Sequence, residues 1–255
     1  MLLVGAALKD YAVEARDGKI GSVTDLLFED TTWQIRWLVV DTGTWLSPRK
    51  VLLHPSALDR IDYEKQVLSF DLSKEQIEAS PEIFEHQPVS EQMENSLYDY
   101  YGWDPAWGGS YFGSGAIASP FASPPYFGGS TVREAEGFGR DHKKGDRHLR
   151  SLSEVKGYHI LASDGEIGHV ENFLIDDVSW GIHYLIVDTS NWWVGQHVLV
   201  SPYAVRAIDW SESQVALDVD RAQVKSSPKW DPLTMIDADY QKRLHSHYRW
   251  PGYGW

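Results

Sequence analysis

Two carboxylates invite a chemical reading first. Asp41-Thr42 and Asp188-Thr189 each close an apolar run, WLVVDT and YLIVDT. Such carboxylates could move a proton or hold a metal ion, but acid–base work needs a second titratable group within reach. No such group accompanies both copies, and an Asp at a strand end commonly accepts N–H bonds from the loop that follows. The ten histidines are His54, His86, His142, His148, His159, His169, His183, His197, His245 and His247. None of the positions that repeat carries histidine in both copies. His245 and His247, two residues apart on a predicted helix, point to different faces. Cysteine is absent, which excludes disulfides, thiolate chemistry and thiolate-bound metal. No Ser/His/Asp set, phosphate loop or dinucleotide fingerprint is present. The expectation is a non-enzyme with no catalytic residues, no metal ligands and no cofactor.

The aromatic residues carry more information. The chain holds 12 Trp, and Trp45, Trp192 and Trp193 sit in the loops just after the apolar runs. There they either plug the end of their own fold unit or stand out as interface anchors, where Trp is enriched. A second set consists of Tyr101 and Trp103, their counterparts Tyr248 and Trp250, and Trp255. Side chains of this size can each bury on the order of 150–250 Å², so they are expected to pack on their own chain or on a second copy. These eight residues are the candidate interface, and the chain is expected to form a homo-oligomer.

The elements that position these residues occur twice. WQIRWLVVDTGTWLSPRKVLL from Trp33 returns as WGIHYLIVDTSNWWVGQHVLV from Trp180, at a constant offset of 147 residues. Asp17/Asp164, Gly18/Gly165, Gly21/Gly168, Pro55/Pro202 and Asp62/Asp209 keep the same offset, which identifies an internal duplication. In the first copy the pattern predicts strands over 13–15, 20–28, 35–41, 51–53, 58–61 and 67–70. Asp17-Gly18 should form a tight hairpin turn. Short strands broken by turn signals read as a small antiparallel barrel. Ser73-Lys74-Glu75-Gln76 and Asp220-Arg221-Ala222-Gln223 are capping boxes that open short helices, and further helices are expected over 90–101 and 237–248. Met1–Leu8 is apolar, too short to span a bilayer, and read as part of the first unit.

The predicted organisation is therefore a first repeat with helical tail at 1–103, a linker at 104–150 and a second repeat with helical tail at 151–255. The linker is rich in Gly, Pro and aromatic residues and ends in the basic cluster Arg140–Arg150. Its net charge of +1 contrasts with −9 and −6 for the repeats. The whole chain carries −14, which argues against unaided binding to nucleic acid or an anionic membrane.

DGKIG from Asp17, LVVDTGTWL ending at Leu46, KVLLHPSAL from Lys50 and IDYEKQVLSFDL from Ile61 closely resemble the PRC-barrel family. So do DGEIG from Asp164, LIVDTSNWW ending at Trp193 and HVLVSPYAV from His197. The family is known from the cytoplasmic domain of a photosynthetic reaction-centre protein and from a ribosome-maturation factor. The resemblance implies two tandem, mainly β barrels used for protein contacts, related by duplication and each followed by short helices. It implies no shared catalytic residues. The expected function is a cytoplasmic interaction or scaffold protein with a protein partner, no nucleic acid and no membrane insertion. A sensor holding a small molecule or metal between the barrels is the alternative, and an accessory factor in ribosome or RNA maturation is a further one. The two barrels are expected to pair about a pseudo-two-fold axis, with the helices near 73–79 and 220–225 close to the contact.

Overall fold

The computed structural model describes residues 1–43, 49–80, 100, 148–189, 196–230 and 236–252. Within them the fold is mainly β, in two similar seven-stranded sheets. The strands are β1 (Leu2–Val4), β2 (Ala12–Ala15), β3 (Gly18–Glu29), β4 (Gln34–Asp41), β5 (Lys50–Leu53), β6 (Leu58–Asp62) and β7 (Val67–Phe70). The second copy supplies β8 (Leu149–Ser151), β9 (His159–Ala162), β10 (Gly165–Asp176), β11 (Ile182–Asp188), β12 (His197–Val200), β13 (Val205–Asp209) and β14 (Gln214–Leu217). The six strands expected in the first copy are all present, and the second copy repeats them. Of the helix expected over 90–101 only Tyr100 falls within the described residues, and 104–147 of the linker lie outside them.

Each unit follows one order, β5-β4-β3-β2-β7-β6 in the first and β12-β11-β10-β9-β14-β13 in the second. Two features differ from the expected antiparallel barrel. The ladders leave β5 and β6, and likewise β12 and β13, at the ends of an open path. One pair in each unit, β2 with β7 and β9 with β14, runs parallel. The long strands β3 and β10 bend through register shifts, and the bend lets one strand pair with different partners along its length.

The bend rests on two glycines at equivalent positions. A Cβ on Gly21 would lie 1.8 Å from the Asp41 carbonyl oxygen, and one on Gly168 would lie 1.9 Å from that of Asp188. No side chain fits there, which accounts for glycine in both copies. Core residues such as Val13, Val23, Ile35, Val40, Leu53 and Leu68 are buried, as are their counterparts Ile160, Val170, Ile182, Val187, Val200 and Val215. Ser73 caps the helix Lys74–Glu78, and Asp220 caps Arg221–Lys225, both through complete capping boxes. Asp237 caps the helix Ala238–Tyr248.

The two units exchange strands. β1 lies in the sheet of the second unit, where Leu3 pairs with Ile175, and β8 lies in the sheet of the first, where Arg150 pairs with Phe28. Met1–Leu8 therefore does not belong to the first unit alone. A short apolar segment has no sequence signal for which sheet edge it joins, and here the opposite edge takes it. Because β1 and β8 occupy equivalent positions, the exchange is reciprocal about a pseudo-two-fold axis, the arrangement of a strand-swapped dimer within one chain.

Near that axis Gln34 bridges Gly181. The Trp33 carbonyl accepts from Ile182 N–H at 2.8 Å, and the Trp180 carbonyl accepts from Ile35 N–H at 2.9 Å. Both tryptophans hold left-handed backbone, φ 58 and 59, which is costly for a bulky side chain. The turn that aims each carbonyl at the opposite unit requires it. Phe28 and Phe173 meet across the contact with ring centroids 6.2 Å apart. The helical turns flanking the exchanged strands, Gly5–Leu8 and Leu152–Val155, pack on the opposite unit. The helix Lys74–Glu78, expected there, is instead tied to its own unit, with Arg49 donating to the Ile77 and Ser80 carbonyls.

Candidate functional site

Strand exchange leaves a cleft between the units. It encloses about 540 Å³ and runs between the β3–β4 turn, the start of β8 and the edge strand β13. Its walls include Asp30, Trp33, Arg150, Tyr203, Arg206 and Trp210. Four consecutive residues, Val205 to Ile208, line it. The register of β13 shifts between Val205 and Ala207, but Ala207 and Ile208 follow it in regular register. Alternate side chains of a strand point to opposite faces, so a cavity touching both lies along the strand's edge.

Asp30 organises the charges. Its N–H donates to the His148 carbonyl at 2.8 Å, which fixes the turn against β8. Its carboxylate accepts from Arg150 Nε at 3.1 Å and lies 2.9 Å from His148 Nδ1. The Arg150 guanidinium also sits 4.1 Å from the centre of the Trp210 ring. An arginine stacked on Trp is attracted by the ring's negative face. Trp210 rests edge-on against Tyr158, centroids 6.0 Å apart. The basic cluster thus reaches an acidic residue of its own chain at its last residue, while 140–147 lie outside the described residues.

The equivalent place on the other side of the pseudo-axis is built differently. Asp177 stands where Asp30 does, and its N–H donates to the Met1 carbonyl at 3.0 Å. Its carboxylate accepts from the Tyr63 hydroxyl and from the Met1 amino group. Burial first, then the hydrogen bond to Asp177, pushes the Tyr63 phenol well above its ordinary range. At the 147-residue offset Arg150 replaces Leu3, Tyr203 replaces Ser56, Arg206 replaces Asp59 and Trp210 replaces Tyr63. Pro55/Pro202, Ile61/Ile208 and Trp33/Trp180 remain identical. Trp210 has no hydroxyl with which to reach Asp30, and it stacks on Arg150 instead.

The expected interface residues divide. Tyr248 is buried, and Trp250 stacks on it with centroids 4.1 Å apart and planes within 10°. Both pack on the second unit of their own chain. Trp45, Trp192, Trp193, Tyr101, Trp103 and Trp255 lie outside the described residues. Asp41 accepts the Gly43 N–H at 2.7 Å, the loop-capping role expected of it. Arg150 stands out in the sequence only as the end of the basic cluster, and Tyr203, Arg206 and Trp210 do not stand out as site residues. The one signal they carry there is the change of charge and aromatic type between the two copies at a fixed offset.

Two buried polar clusters lie apart from the cleft. His54 is fully buried, with its ring 5.3 Å from that of Trp37, and burial, with the Arg36 charge adding to it, pushes its pKa down to about 3. In the second unit Tyr184 Oη lies 2.8 Å from His245 Nε2, and the other ring nitrogen of His245 contacts the Pro251 carbonyl. Burial lowers the His245 pKa, and it brings His183 beside it to about 4 against the opposing pull of Asp176. The Tyr184–His245 contact ties helix Ala238–Tyr248 to β11. Among the described residues no three His, Asp or Glu side chains converge as a metal site would require.

Residues 6–77 match the family model of the PRC-barrel domain. The match covers the first unit, and the second is tied to it by the repeat and by its identical strand order. A Deinococcus radiodurans protein, named only as uncharacterized, is 38% identical over 90 residues. That alignment takes in 35% of this chain and 31% of the relative, so the chain spans about a third of the relative's length.

Proposed function

On the premise that residues 6–77 form a PRC-barrel domain, we propose that this chain is a non-catalytic interaction protein that binds a protein partner between its two units. One observation carries the reading. The duplicated frame is shared by both sides of the pseudo-axis, yet the two linings differ, and one side presents Arg150, Tyr203, Arg206 and Trp210 around an open cleft. Arg, Tyr and Trp are the residue types that dominate binding energy at protein interfaces. A role in holding partners together, as a scaffold, follows if the chain also self-associates, which the homo-oligomer expectation requires.

The cleft volume of about 540 Å³ also falls in the range of small-molecule sites, which favours a sensor as the second reading. Affinity capture on the immobilised full chain from native lysate, followed by native mass spectrometry, separates the two. A protein recovered in stoichiometric amount supports the interaction reading. A small molecule recovered in its place supports the sensor, and recovery of neither overturns both.

A further inference from the structure

We infer that the cleft receives an extended, acidic polypeptide segment of a partner protein, which adds as a strand to the outer edge of β13; this inference rests on the interaction reading above. Three observations lead there. First, β13 ends its sheet path, and among the described residues its only strand partner is β14. A strand edge with unsatisfied N–H and C=O groups is a template for another strand. Second, the cleft follows that edge, because it is lined by consecutive residues 205–208 and closed on the far side by His148 and by Arg150 of β8. The gap therefore lies between two sheet edges, one from each unit.

Third, the local charge is reversed relative to the rest of the molecule. The two repeats are acidic, and the whole chain carries −14. The charged residues lining the cleft are Asp30, Arg150 and Arg206, with His148 beside them. Asp30 is already matched by Arg150, which leaves the exposed Arg206 as surplus positive charge at the edge strand. In the counterpart this position is Asp59. An acidic segment is attracted to the cleft and repelled from the remaining surface, a charge pattern that sets specificity and approach more than raw affinity. Trp210 and Tyr203 offer aromatic surface for an apolar side chain alternating with the acidic ones.

The test uses the full chain labelled with 15N and two capped hexapeptides, one alternating Glu and Val, the other alternating Lys and Val. The expected result is that the Glu peptide shifts the amide signals of 205–209 and the Trp210 indole signal, and that the Lys peptide does not. Arg206→Glu, an exposed position, should weaken Glu-peptide binding roughly five- to tenfold, whereas the same charge change at Lys65→Glu leaves it within about twofold. Equal binding of both peptides, shifts located elsewhere, or no response to Arg206→Glu overturns the inference. Binding that requires deletion of 104–140 also overturns it, because a segment of the same chain then holds the cleft. A partner captured from lysate that is retained by Arg206→Glu leaves the interaction reading standing and removes only this site.

Discussion

The Asp30 and Asp177 sites occupy equivalent places in a duplicated frame and differ in what they do with the same carboxylate. At Asp177 the Tyr63 hydroxyl and the Met1 amino group converge on it from the opposite unit or the exchanged strand. At Asp30 the partners are His148 and Arg150, and the residue equivalent to Tyr63 is Trp210, stacked on the arginine. Backbone constraints are shared, as the paired left-handed tryptophans and the paired glycines demonstrate. The lining has diverged in charge and aromatic type, as have the buried polar clusters around His54 and His245. A duplicated domain can thus keep its folding requirements in both copies while one copy of a surface acquires a different charge and shape.

The comparison can be broken most severely at the frame. Gly21→Val and Gly168→Val each drive a side chain into a backbone carbonyl less than 2 Å away. Each should destabilise the chain by about 3 kcal/mol or more, and by similar amounts, in denaturant unfolding. A large cost in one unit and a negligible one in the other would mean that the two frames are not equivalent.

Acid should act through the buried histidines of both units. The folded pKa values of His54 and His183, about 3 and about 4, lie below the ordinary value of 6.5. Between those limits the unfolded chain binds more protons than the folded one, so this stability is complete above pH 6.5 and lost as pH falls toward 4. The loss should be about 3 kcal/mol or more by pH 4, since each tenfold difference in proton affinity between the folded and unfolded chain is worth roughly 1.4 kcal/mol. Ser201 stands in the second unit where His54 stands in the first, and both side chains accept an N–H two residues on. His54→Ser should therefore keep the turn and remove about half of the pH dependence, leaving the His183 share, which unfolding curves at pH 7, 5.5 and 4 would measure.

At the carboxylates themselves the effects are smaller and should be unequal. Asp30→Ala takes the anion from Arg150, whose side chain is only 23% exposed, and should cost about 2 kcal/mol. Asp177→Ala leaves a phenol and an amino group that can both reach water, with a cost of about 1 kcal/mol. Thermal unfolding of the two variants would read the difference. The smallest effect belongs to Tyr63→Phe, which removes one hydrogen bond to Asp177 at the protein surface, at about 0.5–1 kcal/mol.

The strands and helix caps were legible in the sequence because they are local. Alternating apolar residues, Asp17-Gly18 and the capping boxes at Ser73 and Asp220 each specify a few neighbouring residues. The exchange of β1 and β8 was not legible, since Leu2–Val4 and Leu149–Ser151 satisfy either sheet edge equally well by pattern. The parallel β2–β7 pair was hidden for the same reason, as strand direction depends on the path of the whole chain. Among the aromatic residues of the tails, Tyr248 and Trp250 are conspicuous in the sequence and pack inward. Trp210 is inconspicuous there, because its meaning comes from Arg150, sixty residues earlier, arriving over its ring.

If divergence of one lining on a shared frame creates the partner site, restoring the counterpart's residues should abolish it. Arg206→Asp together with Trp210→Tyr tests this most directly, by calorimetric titration with the alternating Glu–Val hexapeptide. Ile208, Pro202 and Trp33 already match, so the variant should fold and melt within a few degrees of the parent while peptide binding is lost. Undiminished binding by this folded variant would contradict the account.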